Sequence, residues 1–298
     1  MRIKARAKIN LSLDIVDKRD DGYHELDTIF CEIGLCDYIT IEKTASKNIA
    51  LKCSDDTLSC GEDNLAHKAA KLLMDEFSLE GGLSIYIEKN IPMGAGLGGG
   101  SSDAAAVLKA INSIYSLGLS DEELKKRAVT LGADVPFFIS GGISRAKGIG
   151  DVIEPLDNLK LPSMIVVKPE VSVPTAFAYK AYDLYDNKFH PDIEGLIRAL
   201  YANDINKIFE FVGNSFEGPV FEKYTQIQMV KESLLGLGAD ACVMTGSGSA
   251  LFALFENNKK ALAAYELMQK ENKDIKSFLE LGGENEKADW FKRQNLQI

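Results

Sequence analysis

The cleanest pattern of apolar and polar positions lies at the amino terminus. Ile3, Ala5, Ala7, Ile9, Leu11 and Leu13 interleave with Lys4, Arg6, Lys8, Asn10, Ser12 and Asp14, the two-residue period of a β-strand with one apolar face. Lys8 and Asn10 fall together on its polar side. Further strands are expected over 37–43, 48–54 and 82–89, and an amphipathic helix over 62–77. Ala104, Leu108, Ile111 and Tyr115 then recur at helical spacing ahead of Gly118. A following helix carries its own punctuation, because Ser120 with Glu123 forms a capping box and Gly132 a stop.

Residues 155–163 read as a linker. Beyond it the pattern gives a strand over 164–168, a helix opening after Pro174, and helices near 192–201, 203–212 and 219–236. Strands over 241–246 and 249–256, a helix over 258–271 and a last strand near 277–281 complete the pass. Sheets with helices laid against them make the class α+β. The expected division is an N-terminal domain of residues 1–160 and a C-terminal domain of 161–298, two units being what 298 residues favour. The polar tail from Gly282 carries no functional signal, and Trp290 within it reads as packing.

Composition narrows the function. A hydrophobic fraction of 46% and a charged fraction of 26% are ordinary for a globular protein. No apolar run reaches the roughly 20 residues of a membrane span, and the amino terminus has neither signal- nor transit-peptide character. A cytoplasmic protein is expected. A net charge of −10 argues against nucleic acid or an acidic membrane as partner, but not against a small anion met by local donors. Cys31, Cys36, Cys53, Cys60 and Cys242 make an odd set without a C-x-x-C pair, read as reduced, mostly structural thiols. Nothing in the pattern separates a monomer from a dimer.

The chemistry is concentrated in Pro92-Met93-Gly94-Ala95-Gly96-Leu97-Gly98-Gly99-Gly100-Ser101-Ser102, just ahead of the alanine-rich helix. Gly94, Gly96 and Gly99 match the G-x-G-x-x-G dinucleotide fingerprint, which also needs a strand ending in an acidic residue about 20 positions on. Here Asp121, Glu122 and Glu123 in that window open another helix. A Walker P-loop would close on Gly-Lys-Ser/Thr, and this turn closes on Gly100-Ser101-Ser102-Asp103. What remains is a glycine-rich anion cradle on a helix amino terminus, where backbone N–H groups and the helix dipole favour negative charge, or a flexible surface loop ahead of a helix.

From the residues alone, Asp134 in the run "GADVPFF" is a partly desolvated carboxylate, which raises basicity, or a turn aspartate bonded to local backbone. Lys8 reads as a solvent-exposed strand residue, Lys89 as an exposed strand end, His24 as structural and Tyr179 as helix core.

The stretch "PMGAGLGGGSSDAA" resembles the Pro-x-x-x-Gly-Leu-Gly-Ser-Ser-Ala-Ala signature of the GHMP small-molecule kinases, with two extra glycines before the serines. "AKINLSLDI", "DGYHEL", "LGADVPFF" and "MTGSGSALFALF" agree in order and spacing, so the resemblance runs from about residue 5 to about residue 256. It implies a two-domain GHMP kinase fold, the N-terminal half like domain 2 of ribosomal protein S5 and the C-terminal half ferredoxin-like, with the active site between them. It implies ATP and Mg²⁺ as cofactors, residues 92–102 as the triphosphate cradle, and Asn64 and Lys89 near the adenosine. Asp134 becomes the catalytic base and Lys8 its partner, while Asn10 faces a substrate hydroxyl and Ser102 is a candidate metal ligand.

The extended glycine form is similar to the branch whose acceptor is a cytidine diphosphate-linked methylerythritol. There Tyr23 and His24 would contact the cytidine end, and Tyr179 would stack on the base with Thr175 nearby. A kinase acting on mevalonate, homoserine or a sugar would have no use for Tyr23, His24 or Tyr179. A non-catalytic regulator on the same fold would have no use for the Lys8–Asp134 pair. One departure is Gly246-Ser247-Gly248-Ser249-Ala250, where many relatives place Pro-Thr after the second glycine. It bears on fine positioning and not on the reaction.

Overall fold

The alternating amino terminus forms one arm of a long hairpin. In the computed structural model, which describes residues 1–157, 159–271 and 275–282, strand β1 (Arg2–Lys18) pairs antiparallel with β2 (His24–Thr44) from Arg2 opposite Thr40 to Lys18 opposite His24. The register shifts between Arg6 and Lys8, between Asn10 and Ser12, and between Ile15 and Asp17. Strand β2 was expected only over 37–43. Its first half mixes polar and apolar residues, because each is covered by a different neighbour rather than by one core face.

Along its other edge β2 pairs antiparallel with β4 (Gly82–Glu88) and with β5 (Ile143–Gly148). Strand β3 (Ile49–Cys53) runs parallel to β4, and β6 (Val152–Pro155) pairs with β5, giving six strands among the described residues. Helix α1 (Leu65–Glu76) joins β3 to β4, and α2 (Gly99–Ile114) packs beside it. Ala104, Ala105, Ala106 and Ala110 are all buried; small side chains let α2 sit close to its neighbours on every side. The capping box at Ser120 is formed and opens α3 (Asp121–Ala128).

Two short elements were missed here: α4 (Val135–Ser140) and the β5–β6 hairpin. Both are too short for periodicity to declare them, and β5 depends on a partner more than a hundred positions away in β2. The expected linker is correspondingly less loose. Pro155 ends β6, the Leu156 N–H donates to the Ile143 carbonyl, and Leu156, Leu159 and Leu161 pack into a core.

The second sheet has the order β10-β7-β9-β8, all antiparallel, from β7 (Ser163–Lys168), β8 (Ala241–Met244), β9 (Leu251–Phe255) and β10 (Lys276–Glu280). Every residue of β7, β8 and β9 is buried, as expected of strands covered on both faces. On one face Ile165, Val167, Leu251, Ala253 and Phe255 meet α5 (Thr175–Asp183), α8 (Glu217–Lys223), α9 (Thr225–Gly236) and α10 (Asn258–Glu271). On the other, Met164, Val166, Phe252 and Leu254 share a core with Ala7, Ile9 and Leu11 of β1 and with α6 (Ile193–Ala202) and α7 (Ile205–Phe211). The helix expected over 219–236 is two helices, broken where Tyr224 takes φ −117° and ψ 65°.

The α+β class with two sheets is as expected. The exposed polar face of β1 is not, since Lys8, Asn10 and Ser12 are all buried. That face is roofed by the glycine turn and the loop after β8. All of the tail beyond Gly282, Trp290 included, lies outside the described residues.

Candidate active site

The glycine turn ends on Gly98, which precedes α2 in a left-handed conformation with φ +69°. No side chain caps this helix, and its first turn holds no acidic residue. Its leading N–H groups therefore lack intrahelical partners and sit at the positive end of the dipole.

The glycines answer two different needs. A Cβ on Gly96 (φ +77°) would lie 2.4 Å from the Thr245 carbonyl oxygen. One on Gly98 would lie 2.6 Å from Phe138 Cζ and 3.1 Å from Lys8 Cγ. These two are glycine because protein already fills the space. At Gly100 the nearest atom is Leu65 Cδ1 at 3.8 Å, so the bare backbone there faces open space.

The loop after β8 locks against this turn. Ala250 N–H donates to Ala95 O (3.2 Å), and Gly246 lies against the Gly96 backbone. Asn214, buried and unsuspected in the sequence, donates from Nδ2 to the carbonyls of Met244 (2.6 Å) and Gly246 (2.8 Å). Ser249 is joined to Gly248 by a cis peptide at the site of the departure from Pro-Thr.

Lys8 lies directly beneath the turn. Its N–H donates to Leu97 O (3.0 Å), and its ammonium donates to Asn10 Oδ1 (2.7 Å). The same ammonium sits 3.5 Å from Asp134 Oδ2 and 4.5 Å above the Phe30 ring. Only 4% of Lys8 is exposed, so the solvent-exposed reading fails. Asp134 stands at the amino end of α4 but makes no capping bond, against the turn-aspartate reading, and its side chain keeps 35% exposure. The result is a buried cation directed at a carboxylate that water or a substrate can reach.

Asn10 is held from several sides. Its N–H donates to Thr245 Oγ1 (2.8 Å), and its Nδ2 donates to Thr28 Oγ1 (2.9 Å). Thr28 and Thr245 were not anticipated; a polar residue in an apolar strand is the signal that could have marked Thr28. Because Asn10 Oδ1 accepts from Lys8, its first task is to fix that ammonium, and one amide hydrogen is left over.

His24 and Tyr179 meet although the chain separates them widely. Their rings stack at 4.7 Å and 24°, and the Tyr179 and Phe216 rings meet nearly perpendicular, at 4.9 Å and 85°. Burial pushes the Tyr179 hydroxyl up to about 12, and the nearby charge of Asp134 adds to the effect. Tyr23 is 62% exposed. Thr175, exposed at the start of α5, bonds Ser247 at 3.0 Å between hydroxyls.

Lys89 is not an exposed strand end. Its ammonium is clamped between Asp37 Oδ2 (2.5 Å) and Asp103 Oδ2 (2.9 Å), all three side chains being almost wholly buried. Asp37 Oδ1 also accepts from the N–H groups of Asn90 (2.5 Å) and Ile91 (2.7 Å). Asp103 Oδ1 has no partner. Burial pushes the Asp103 carboxyl up to about 7, the charge of Asp37 adding to it and Lys89 opposing it. Sequence reading missed both acids; Asp103, an acid inside an alanine run, was the visible sign. Asn64 caps α1, accepting from Ala66 N–H (2.8 Å). Its neighbour Leu65 is the residue facing Gly100.

Similarity to known proteins agrees with this geometry. Residues 64–142 match the GHMP kinases N terminal domain and residues 196–274 the GHMP kinases C terminal domain. A 4-diphosphocytidyl-2-C-methyl-D-erythritol kinase of Clostridium beijerinckii is 43% identical over 275 residues, covering 92% of this chain and 98% of that one. Its counterpart in Acetivibrio thermocellus is 42% identical over 264 residues, covering 89% and 93%. A crystal structure of 4-(cytidine 5'-diphospho)-2C-methyl-D-erythritol kinase superposes with a TM-score of 0.81 at 36% identity, over 95% of this chain and all of that one. Homoserine kinase from Cytophaga hutchinsonii, at 19% identity and a TM-score of 0.71 over 95% of each chain, shares the fold.

Proposed function

Because the chain belongs to the GHMP kinases, in the branch of the 4-diphosphocytidyl-2-C-methyl-D-erythritol kinases, we propose that it transfers the γ-phosphate of ATP to the 2-hydroxyl of 4-diphosphocytidyl-2-C-methyl-D-erythritol, a step of the non-mevalonate route to isoprenoid precursors. One observation carries the mechanism: the residue that presents the ammonium to Asp134 also holds the glycine turn through its own backbone N–H.

Phosphoryl transfer to a hydroxyl needs positioning, charge stabilisation and a proton acceptor. Residues 92–102 and the open amino end of α2 cradle the triphosphate. Asp134 accepts the proton of the acceptor hydroxyl. Lys8, fixed by Asn10, steadies the negative charge that grows on that oxygen. The spare amide hydrogen of Asn10 is directed to an acceptor oxygen. Asn64 and Lys89 flank the adenosine; with two of its ammonium N–H groups donated to Asp37 and Asp103, Lys89 contributes the remaining one. Tyr23, His24, Thr175 and Tyr179 form the cytidine end, where aromatic faces suit a flat base.

Among the described residues no three His, Cys, Asp or Glu side chains gather into a metal site. That fits Mg²⁺, which binds through one or two protein ligands, water and substrate phosphates, with Ser102 as the ligand here. When bound, the ion neutralises phosphate charge. We place the domain divide at 160/161, between β6 and β7. No helix among the described residues is long and apolar enough to cross a membrane, and the enzyme is assigned to the cytoplasm.

The test is ADP release from ATP and Mg²⁺, with the cytidylyl acceptor set against mevalonate, homoserine and galactose. The expected result is turnover with the first alone, and a kcat about 10²–10⁴-fold lower in Asp134→Asn. Turnover on another acceptor sinks the acceptor assignment, and a mutant of undiminished kcat sinks the base. ATP binding with no turnover on any acceptor favours a regulator.

A further inference from the structure

Helix α5 presents Tyr179 and Asp183 four residues apart, hence on one face. Both hold the same imidazole. Tyr179 lies against the flat of His24, and Asp183 Oδ1 takes its Nε2 at 2.7 Å. Tyr182 meets the ring edge-on at 6.4 Å, itself anchored by its hydroxyl donating to Ile15 O (3.0 Å). The second oxygen of Asp183 is paired with Lys18 Nζ at 2.5 Å. His24 is 8% exposed, whereas the Asp183 and Lys18 side chains that hold it reach the surface, at 28% and 55% exposure. This clamp also joins the first residue of β2 to the last residue of α5.

We infer that Asp183 is a positioning residue for acceptor recognition: with Lys18 it fixes the His24 ring, and the ring in turn backs Tyr179. This rests on the cytidylyl reading of the site. Asp183 bonds neither Lys8 nor Asp134, so it acts through His24 and not on the transferring phosphate. Accepting from Nε2 sets which nitrogen carries the proton and where the ring points. Among the rings around Tyr179, His24 is the one stacked face to face on it, Phe216 meeting it nearly perpendicular at 4.9 Å. Freed of Asp183, the imidazole can turn, and Tyr179, stacked on it, can follow and carry the cytidine end out of position. Burial disfavours the charged Asp183, but hydrogen bonds from Lys18 and His24 outweigh that and hold its carboxyl below the ordinary value. The anion is therefore present throughout the neutral range.

The experiment measures steady-state kinetics for the cytidylyl acceptor and for ATP separately, in wild type, Asp183→Ala and Asp183→Asn. Losing a charged hydrogen bond should raise the acceptor KM about tenfold in Asp183→Ala, leaving kcat and the ATP KM within about twofold of wild type. Asp183→Asn keeps the shape and one acceptor oxygen but not the pair with Lys18, so its acceptor KM should fall between the two. That graded rescue is not expected of a merely structural residue. If Asp183→Ala folds poorly, Asp183→Asn carries the test, with its thermal midpoint as the check. An unchanged acceptor KM in a folded variant overturns the inference while leaving the acceptor assignment intact. Equal losses on the acceptor and ATP sides overturn it too. No turnover of this acceptor by wild type would remove the acceptor reading and the inference with it.

Discussion

Gly96 lies in the glycine turn and Gly100 at the start of α2, and alanine at each should act in opposite directions. At Gly96 the backbone has φ +77°, and a Cβ would stand 2.4 Å from Thr245 O and 3.4 Å from Gly248 O. Those are main-chain atoms, so no side chain can swing away. Holding alanine in the left-handed region costs about 1–2 kcal/mol, and forcing two packed segments apart adds about 1–3 kcal/mol. Gly96→Ala should therefore lose about 2–5 kcal/mol in urea denaturation, an amount a protein with about 5–15 kcal/mol of stability can survive. Because Thr245 also holds Asn10, and Asn10 holds Lys8, kcat should fall as well. At Gly100 the nearest atom is 3.8 Å away and the residue is already helical. Alanine there should be neutral or gain about 0.5–1 kcal/mol, while its methyl obstructs the phosphates and raises the ATP KM. The paired result is read from denaturation midpoints and ATP titrations. A Gly96→Ala protein within about 0.5 kcal/mol of wild type, or equal losses at both positions, would refute the division of the glycine run into a packed half and an open half.

Three more outcomes follow from the buried charges and the caps. Asp37→Ala removes the acceptor of Lys89 and of two backbone N–H groups and should cost about 3–5 kcal/mol by denaturation. Asp103, ordinarily at 3.8 and here pushed to about 7, keeps a proton in the folded chain that the unfolded chain has released. Its contribution to stability is thus complete below 3.8 and is lost as pH rises through about 7, with a slope of up to about 1.4 kcal/mol per pH unit. Midpoints measured from pH 5 to pH 8 should shift in favour of Asp103→Asn relative to wild type, and a constant gap would count against it. Ser120→Ala should cost about 1 kcal/mol by removing the capping box of α3, with kinetic constants unchanged.

The alternation over residues 3–14 was legible because a strand's period is local, and so were the glycine turn and the Ser120 cap. What met the polar side of β1 was not legible. Lys8 and Asn10 look like surface residues until Leu97, Thr28 and Thr245, from three distant segments, close over them. Asp37 and Asp103 stayed hidden for the same reason, since their meaning is the ammonium between them. Helix α4 and strands β5 and β6 exist through pairing and packing more than through propensity, and the break at Tyr224 is a single backbone turn. Asp134 could be nominated from its neighbours, but its distance to Lys8 belongs to the assembled fold.

Thr175, Tyr179 and Asp183 recur at every fourth position of α5, forming one stripe on a nine-residue helix. The cradle, Lys8 and Asp134 come from other elements altogether. In engineering terms the enzyme resembles a common socket with an interchangeable fitting. On the proposed reading of the site, rewriting Tyr179 and Asp183 on that face should redirect the choice of acceptor, while Thr175, bonded to Ser247 of the loop that locks against the glycine turn, is the position tied to the phosphate side.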